Sequence, residues 1–188
     1  MKVINLYGGP STGKSTIASQ LFAEMKWRKI NIELVNEYAK DLVWDKRFHM
    51  LKDQMYISAK QNRKLARLKN QVEWVVTDSP LCLGQVYADN DTPKAFGPLL
   101  DELFLSYDNI NIFLVRKKSY AKIGRMQTEE EAKAIDAVIL DLLNRYRSID
   151  PNFKYYVVDA DRGAVDTILN ILTQDYGLVS KDALKVED

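Results

Sequence analysis

Residues 8–16 read GGPSTGKST and follow directly on the strand-like run KVINLY. Gly8, Gly13, Lys14 and Ser15 complete the spacing G-x-x-x-x-G-K-[ST], a pattern highly specific for nucleotide phosphates. Glycines let backbone amides approach a phosphate closely. Those amides, running through Pro10, Ser11 and Thr12 to Gly13, point inward at the start of the next helix, whose dipole also favours an anion. Lys14 is placed to neutralise charge on the β- and γ-phosphates, and the Ser15 hydroxyl to ligate Mg²⁺, with Thr16 as the weaker alternative. The expected occupant is ATP with magnesium, although ATP and GTP are not distinguished by the loop.

Other predicted strand ends carry further candidates. VNEYAK puts Glu37 beside the expected γ-phosphate, where a carboxylate can take or orient the proton of an attacking hydroxyl. The plainer alternative is a negative charge that simply begins a helix. In WVVTDSP the predicted strand is followed by Asp78, placed to hold Mg²⁺ directly or through water, or to serve as the base itself. Its alternative is a turn aspartate before Ser79-Pro80. The sequence leaves the division of roles between Glu37 and Asp78 open.

FLVRKKSYAKIGR holds Arg116, Lys117, Lys118, Lys122 and Arg125 ahead of the acidic helix start TEEEAKAID. A lid over about 116–128 is expected, with Arg116 and Arg125 stabilising charge on a transferring phosphoryl group. Thr128 and Glu131 have capping-box spacing, so the helix begins there. In VDADRGAVD, Asp159 and Arg162 are candidates to flank the base of the nucleotide, while the alternative reading makes Asp161 a helix N-cap.

The segment at about 37–72 is the expected acceptor side. Lys60, Arg63, Lys64 and Arg67 follow i, i+3, i+4, i+7 spacing and share one helix face, either a solvated face or one that tracks the phosphates of a DNA acceptor. Ile57, Leu65, Leu68 and Val72 lie on another face, toward the sheet. Tyr38, Trp44, Tyr56 and Tyr87 are candidates to stack on a base, with at most half of them expected to touch ligand. His49, the only histidine, has no triad or metal set near it in sequence.

These residues need a frame that brings strand ends together, and the hydrophobic pattern supplies one. Val3–Tyr7, Ile32–Val35, Trp74–Thr77, Ile110–Val115 and Tyr155–Val158 read as buried strands. Helical stretches lie between and after them at about 14–27, 37–46, 50–71, 97–107, 129–147 and 162–175. The alternation implies an α/β fold with a five-stranded parallel sheet and helices on both faces, whose ligands bind beyond the carboxyl ends of the strands. Residues 1–188 are expected as a single domain. The net charge of +1 gives no global pull toward nucleic acid or membrane. The lone Cys82 excludes an intramolecular disulfide and an all-cysteine zinc site, and no apolar run approaches the ~20 residues of a membrane span. A cytoplasmic protein is the default expectation.

NLYGGPSTGKST, VNEYAKDLVW, VVTDSPL and GRMQTEEEAKAID together resemble the small P-loop kinases related to thymidylate kinase and the nicotinamide riboside kinases. More closely, they resemble phage-encoded members, some of which are 5-hydroxymethyluracil DNA kinases. The resemblance implies the three-layer P-loop kinase fold with a short lid. It implies ATP·Mg²⁺ on Gly13, Lys14 and Ser15, Glu37 and Asp78 flanking the acceptor hydroxyl, and Arg116 and Arg125 as lid arginines. The leading expectation is transfer to 5-hydroxymethyluracil in phage DNA, for hypermodification in the host cytoplasm. The alternative keeps the chemistry with a free nucleoside or nucleotide as acceptor. Thymidylate kinases commonly carry an arginine right after the strand-three aspartate, and Ser79 in that place argues against a thymidylate phosphate held in the usual way. A nucleotide-hydrolysing switch is the remaining alternative, for which the chain offers no dedicated water-positioning glutamine.

Overall fold

The computed structural model describes residues 1–117 and 128–179. Five strands form one parallel sheet: β1 (Lys2–Tyr7), β2 (Ile32–Val35), β3 (Trp74–Thr77), β4 (Asp108–Val115) and β5 (Tyr155–Asp159). Their order across the sheet is β2-β3-β1-β4-β5, so the strand that leads into GGPSTGKST lies at the centre. Its neighbours pair in register Ile4↔Val76 on one side and Ile4↔Ile110 on the other. β-Branched and aliphatic residues dominate these runs because both faces of the sheet are covered.

Among the described residues seven α-helices lie between and after the strands: α1 (Lys14–Trp27), α2 (Tyr38–Trp44), α3 (Gln54–Ala66), α4 (Gly84–Tyr87), α5 (Phe96–Leu105), α6 (Glu129–Ile149) and α7 (Ala164–Tyr176). On one face Ile4, Leu6, Ile112 and Val158 pack against Leu21 and Met25 of α1 and Ile168 and Leu172 of α7. On the other, Tyr7 and Phe113 pack with Phe104 of α5 and Ile139, Leu143 and Tyr146 of α6, while Val3, Val35 and Val75 receive Leu65 of α3. This is the three-layer arrangement expected from the strand–helix alternation.

Two local differences from the expected elements fall in the segments after β2 and β3. The helix expected over 50–71 is broken: a 3₁₀ turn spans Phe48–Lys52, and α3 starts only after Asp53, whose side chain accepts from Tyr56 N–H as an N-cap. The stretch after Asp78 folds into a 3₁₀ turn, Leu81–Leu83, running into α4, a short element that the sequence pattern does not predict. The capping box of Thr128 and Glu131 forms as expected. Lys118, Lys122, Gly124, Arg125 and the tail from Ser180 lie outside the described residues.

A buried polar ladder supports the end of β1. Asn5 donates to Asn109 and Asn111, and the Tyr7 hydroxyl donates to Asn111 Oδ1 at 3.1 Å and lies 3.3 Å from Cys82 Sγ. Burial holds the Tyr7 hydroxyl well above its ordinary pKa and pushes the Cys82 thiol up to about 12, so both stay protonated beneath the loop.

Candidate active site

β1 ends at Tyr7 and the chain turns through GGPSTG into α1 with three residues in left-handed or related conformations: Gly8 (φ 140), Ser11 (φ 64) and Gly13 (φ 107). A left-handed non-glycine residue such as Ser11 costs about 1 kcal/mol, so the surrounding bonds must hold the loop. The Thr12 hydroxyl donates to Gly9 O at 2.7 Å, and Lys14 Nζ donates to Gly8 O at 2.6 Å and Gly9 O at 3.0 Å. Lys14 and Ser15 begin α1, whose first amides face the space that a phosphate would fill. Thr16 is exposed.

Beyond the adjacent ends of β2 and β3 stand Glu37 and Asp78. Asp78 is 2% exposed, and its Oδ1 accepts the backbone N–H of Glu37 at 2.9 Å, which ties the two strand ends together. Its other oxygen has no partner among the described residues. Lys14, Ser15, Glu37 and Asp78 all line one cleft of about 360 Å³. Ser15 and Asp78 offer a hydroxyl and a carboxylate, hard oxygen donors of the kind Mg²⁺ takes alongside phosphate oxygens, so the residues present fit that ion.

The far side of the cleft is built from α2, α3 and the turn into α4. Val43, Leu51, Ile57 and Leu83 give it apolar walls, and Lys40 and Tyr87 also reach it. Its polar wall comes from one face of α3: Gln54, Ser58 and Gln61, each more than nine-tenths buried. Gln61 is committed to the fold, since Oε1 accepts from Tyr38 N–H at 3.0 Å and Nε2 reaches Thr77 Oγ1 at 3.4 Å. Gln54 differs. Its Nε2 donates to Leu51 O at 2.8 Å, which fixes the amide and leaves Oε1 without a partner among the described residues. The Ser58 hydroxyl, one turn on, also has none. Among the described residues no fully buried side-chain oxygen or nitrogen lacks a partner, so these two atoms are open to the ligand-sized cleft that their residues line.

The far wall of the cleft thus draws on the segment 37–72, through a face of α3 other than the basic one. Lys60, Arg63, Lys64 and Arg67 do not line the cleft. Lys64 bonds Asn36 O at 3.1 Å and Asp41 at 3.2 Å, Lys60 lies over the Tyr56 ring, and Arg63 and Arg67 are exposed. Of the four candidate aromatics, Tyr87 alone lines the cleft; Tyr38 and Tyr56 pair through their hydroxyls at 2.9 Å, and Trp44 is exposed. His49 is exposed as well. Gln54 and Ser58 escape sequence reading because an amide and a hydroxyl on a helix have no signature until the fold aims them.

Arg116 sits at the end of β4 against the phosphate loop, held by Asp136 of α6 rather than projecting from a lid. Arg125 lies outside the described residues. Arg162 is exposed in the turn between β5 and α7, away from the cleft lining, while neighbouring Asp159 pairs with Lys117 at 3.0 Å. Asp161 accepts from Gly163 N–H at 2.8 Å and acts as a turn residue before α7. Among the described residues there is no cluster of three or more histidine, cysteine or acidic side chains that could hold a metal on its own, and no helix long and apolar enough to cross a membrane.

A family model described as an AAA domain matches residues 3–167. No curated protein matches the chain in sequence. Among solved structures, deoxyadenosine kinase from M. mycoides with bound dATP superposes with a TM-score of 0.60 at 20% identity, over 91% of this chain and 99% of that one. The NadR protein in complex with NR gives a TM-score of 0.68 at 21% identity, over 96% of this chain but only 53% of the NadR chain. At these identities the likeness establishes the fold.

Proposed function

The chain belongs to this AAA-domain family, and on that premise we propose that it is an ATP-dependent kinase that phosphorylates a hydroxyl of a free nucleoside. The observation that carries this reading is the single cleft that runs from Lys14 and Ser15, past Glu37 and Asp78, to the partnerless polar atoms of Gln54 and Ser58. At about 360 Å³ it suits a small organic acceptor, within the ~300–1,000 Å³ of typical ligand pockets. Its acceptor wall carries one cation, Lys40, together with amide, hydroxyl and apolar groups, a lining suited to an uncharged ring and sugar more than to a phosphorylated strand. The two structural neighbours, one a deoxyadenosine kinase and the other bound to NR, favour the same acceptor class.

In this reading the loop amides and Lys14 hold the triphosphate, and Ser15 with Asp78 holds Mg²⁺, which when bound would draw charge from the phosphates. Glu37 takes the proton as the acceptor oxygen bonds to the γ-phosphorus and the bond to the β,γ-bridging oxygen breaks, leaving ADP. Asp78 is the better metal ligand of the two carboxylates because it is buried at the strand end and already spends one oxygen on Glu37 N–H. Arg162 is retained as a proposed neighbour of the nucleotide base, and Arg125 as a proposed arginine for stabilising charge on the transferring phosphoryl group.

The test is transfer from γ-labelled ATP to a panel of free nucleosides, nucleoside monophosphates and 5-hydroxymethyluracil DNA, run side by side. Label on a nucleoside is the expected result. Label on DNA alone would replace the acceptor while leaving the donor half intact. Release of inorganic phosphate unaffected by every acceptor would return the protein to the switch reading.

A further inference from the structure

Gly9 is the point where α6 meets the phosphate loop. A Cβ there would lie 2.5 Å from the carbonyl oxygen of Ala132 and 2.9 Å from Asp136 Oδ1, so the helix presses on bare backbone. Through this contact one carboxylate reaches the loop. Asp136 Oδ1 accepts from Gly9 N–H, and Oδ2 accepts from Arg116 Nε at 3.3 Å and Nη2 at 3.0 Å. Arg116 passes the contact on: Nη1 donates to Pro10 O at 2.8 Å and Nη2 to Thr12 Oγ1 at 3.1 Å. The Thr12 hydroxyl closes the circuit by donating to Gly9 O.

We propose that Asp136 is a positioning residue for the phosphate loop, acting with Arg116 as a bracket that fixes the loop from outside the cleft. Neither side chain lines the cleft, yet between them they bond Gly9, Pro10 and Thr12. The Arg116 and Asp136 side chains are 10% and 19% exposed, so water screens the pair little and each depends on the other for its charge balance. The loop includes Ser11 at φ 64, a conformation that the free chain would leave. A loop whose amides are already aimed binds phosphate without the cost of ordering them, and donors fixed in advance need no reorganisation during transfer. The guanidinium of Arg116 is committed to backbone, hydroxyl and carboxylate, so its contribution is to the shape of the loop.

This inference rests on the nucleotide half of the proposed function and is independent of the acceptor. Binding of magnesium and a non-hydrolysable ATP analogue, measured by titration calorimetry, therefore tests it without any transfer assay. Asp136→Asn keeps an acceptor for Gly9 N–H but turns an amide NH₂ toward Arg116, so it breaks the bracket at one joint. Its affinity is expected to fall about tenfold, the effect of ~1.4 kcal/mol, while the melting temperature without ligand shifts by only a few degrees. The double variant R116Q/D136N is expected to bind no more weakly than the poorer single variant, because the two act as one unit. Thr12→Val should weaken binding by a smaller factor and Thr12→Ser should restore it; this pair carries the test if D136N does not fold. Unchanged or tighter binding in folded D136N, fully additive losses, or equal binding by the two Thr12 variants would overturn the proposal. A wild-type protein that does not bind the analogue would remove the nucleotide site itself, and the bracket's role with it.

Discussion

The two halves of the cleft are built by opposite strategies. The donor half is nine consecutive residues whose work is done mostly by backbone amides, so its spacing in sequence is also its spacing in space. The half proposed for the acceptor is assembled from the ends of β2 and β3, from α2, one face of α3 and the turn into α4, each contributing a few side chains. A motif can record the first kind of site. The second exists only once the sheet has ordered its strands.

The sharpest way to break this contrast is at the donor end. Lys14→Ala is expected to lower phosphoryl transfer by about 10³-fold or more, since it removes a charge aimed at the transferring group. Single-turnover rates with labelled ATP check this, and a variant that retained full rate would take the loop out of the chemistry. Next come the carboxylates where the halves meet. Glu37→Gln is expected to cost about 10²–10³-fold in kcat with little change in KM for ATP, as for loss of a general base. Asp78→Asn still accepts Glu37 N–H, so it should spare the fold while raising the magnesium concentration needed for half-maximal rate by about tenfold. The opposite pattern, with the metal dependence moving in the Glu37 variant, would exchange the two roles.

How much the sequence reveals follows the same divide. All five strands and the helix after the loop lie within a residue or two of where hydrophobic runs and the glycine-rich turn predict them, because burial on both faces and the motif are local signals. Glu37 and Asp78 were reachable since strand ends are where such folds bind ligands, and both line the cleft. The α3 region departs from the expected helix over 50–71, and its basic face stays open between the two readings, for two physical reasons. Asp53 caps a new helix and resets its start, and the charged residues that stand out in the sequence are the ones water solvates. Arg116 illustrates the same limit: its partner Asp136 is on α6, and no local spacing joins them.

Gln54 sharpens the contrast from the acceptor side. Gln54→Leu should raise KM for the nucleoside about tenfold while leaving KM for ATP unchanged, the loss expected for one buried hydrogen bond of ~1–1.5 kcal/mol. Equal KM for both substrates in variant and wild type would mean that the Oε1 atom reads nothing. A rise in both would make the change structural, acting through the Leu51 turn that Gln54 holds.

The smallest effect is expected from the most conspicuous residues. K60Q/R63Q/R67Q removes three charges of α3 that lie outside the cleft and leaves Lys64, which is tied to Asp41, in place. For a nucleoside acceptor, kcat/KM should stay within about twofold of wild type, because exposed substitutions away from a site rarely exceed ±0.5 kcal/mol. A DNA acceptor would respond differently. Each lost phosphate contact removes about 0.9 from the slope of log affinity against log salt, so the triple variant would bind a hydroxymethyluracil duplex more weakly and with a flatter salt dependence. The two faces of α3 thus make separable claims on the acceptor: an effect confined to Gln54 keeps it inside the cleft, whereas an effect confined to the basic face would move it onto the surface of the helix.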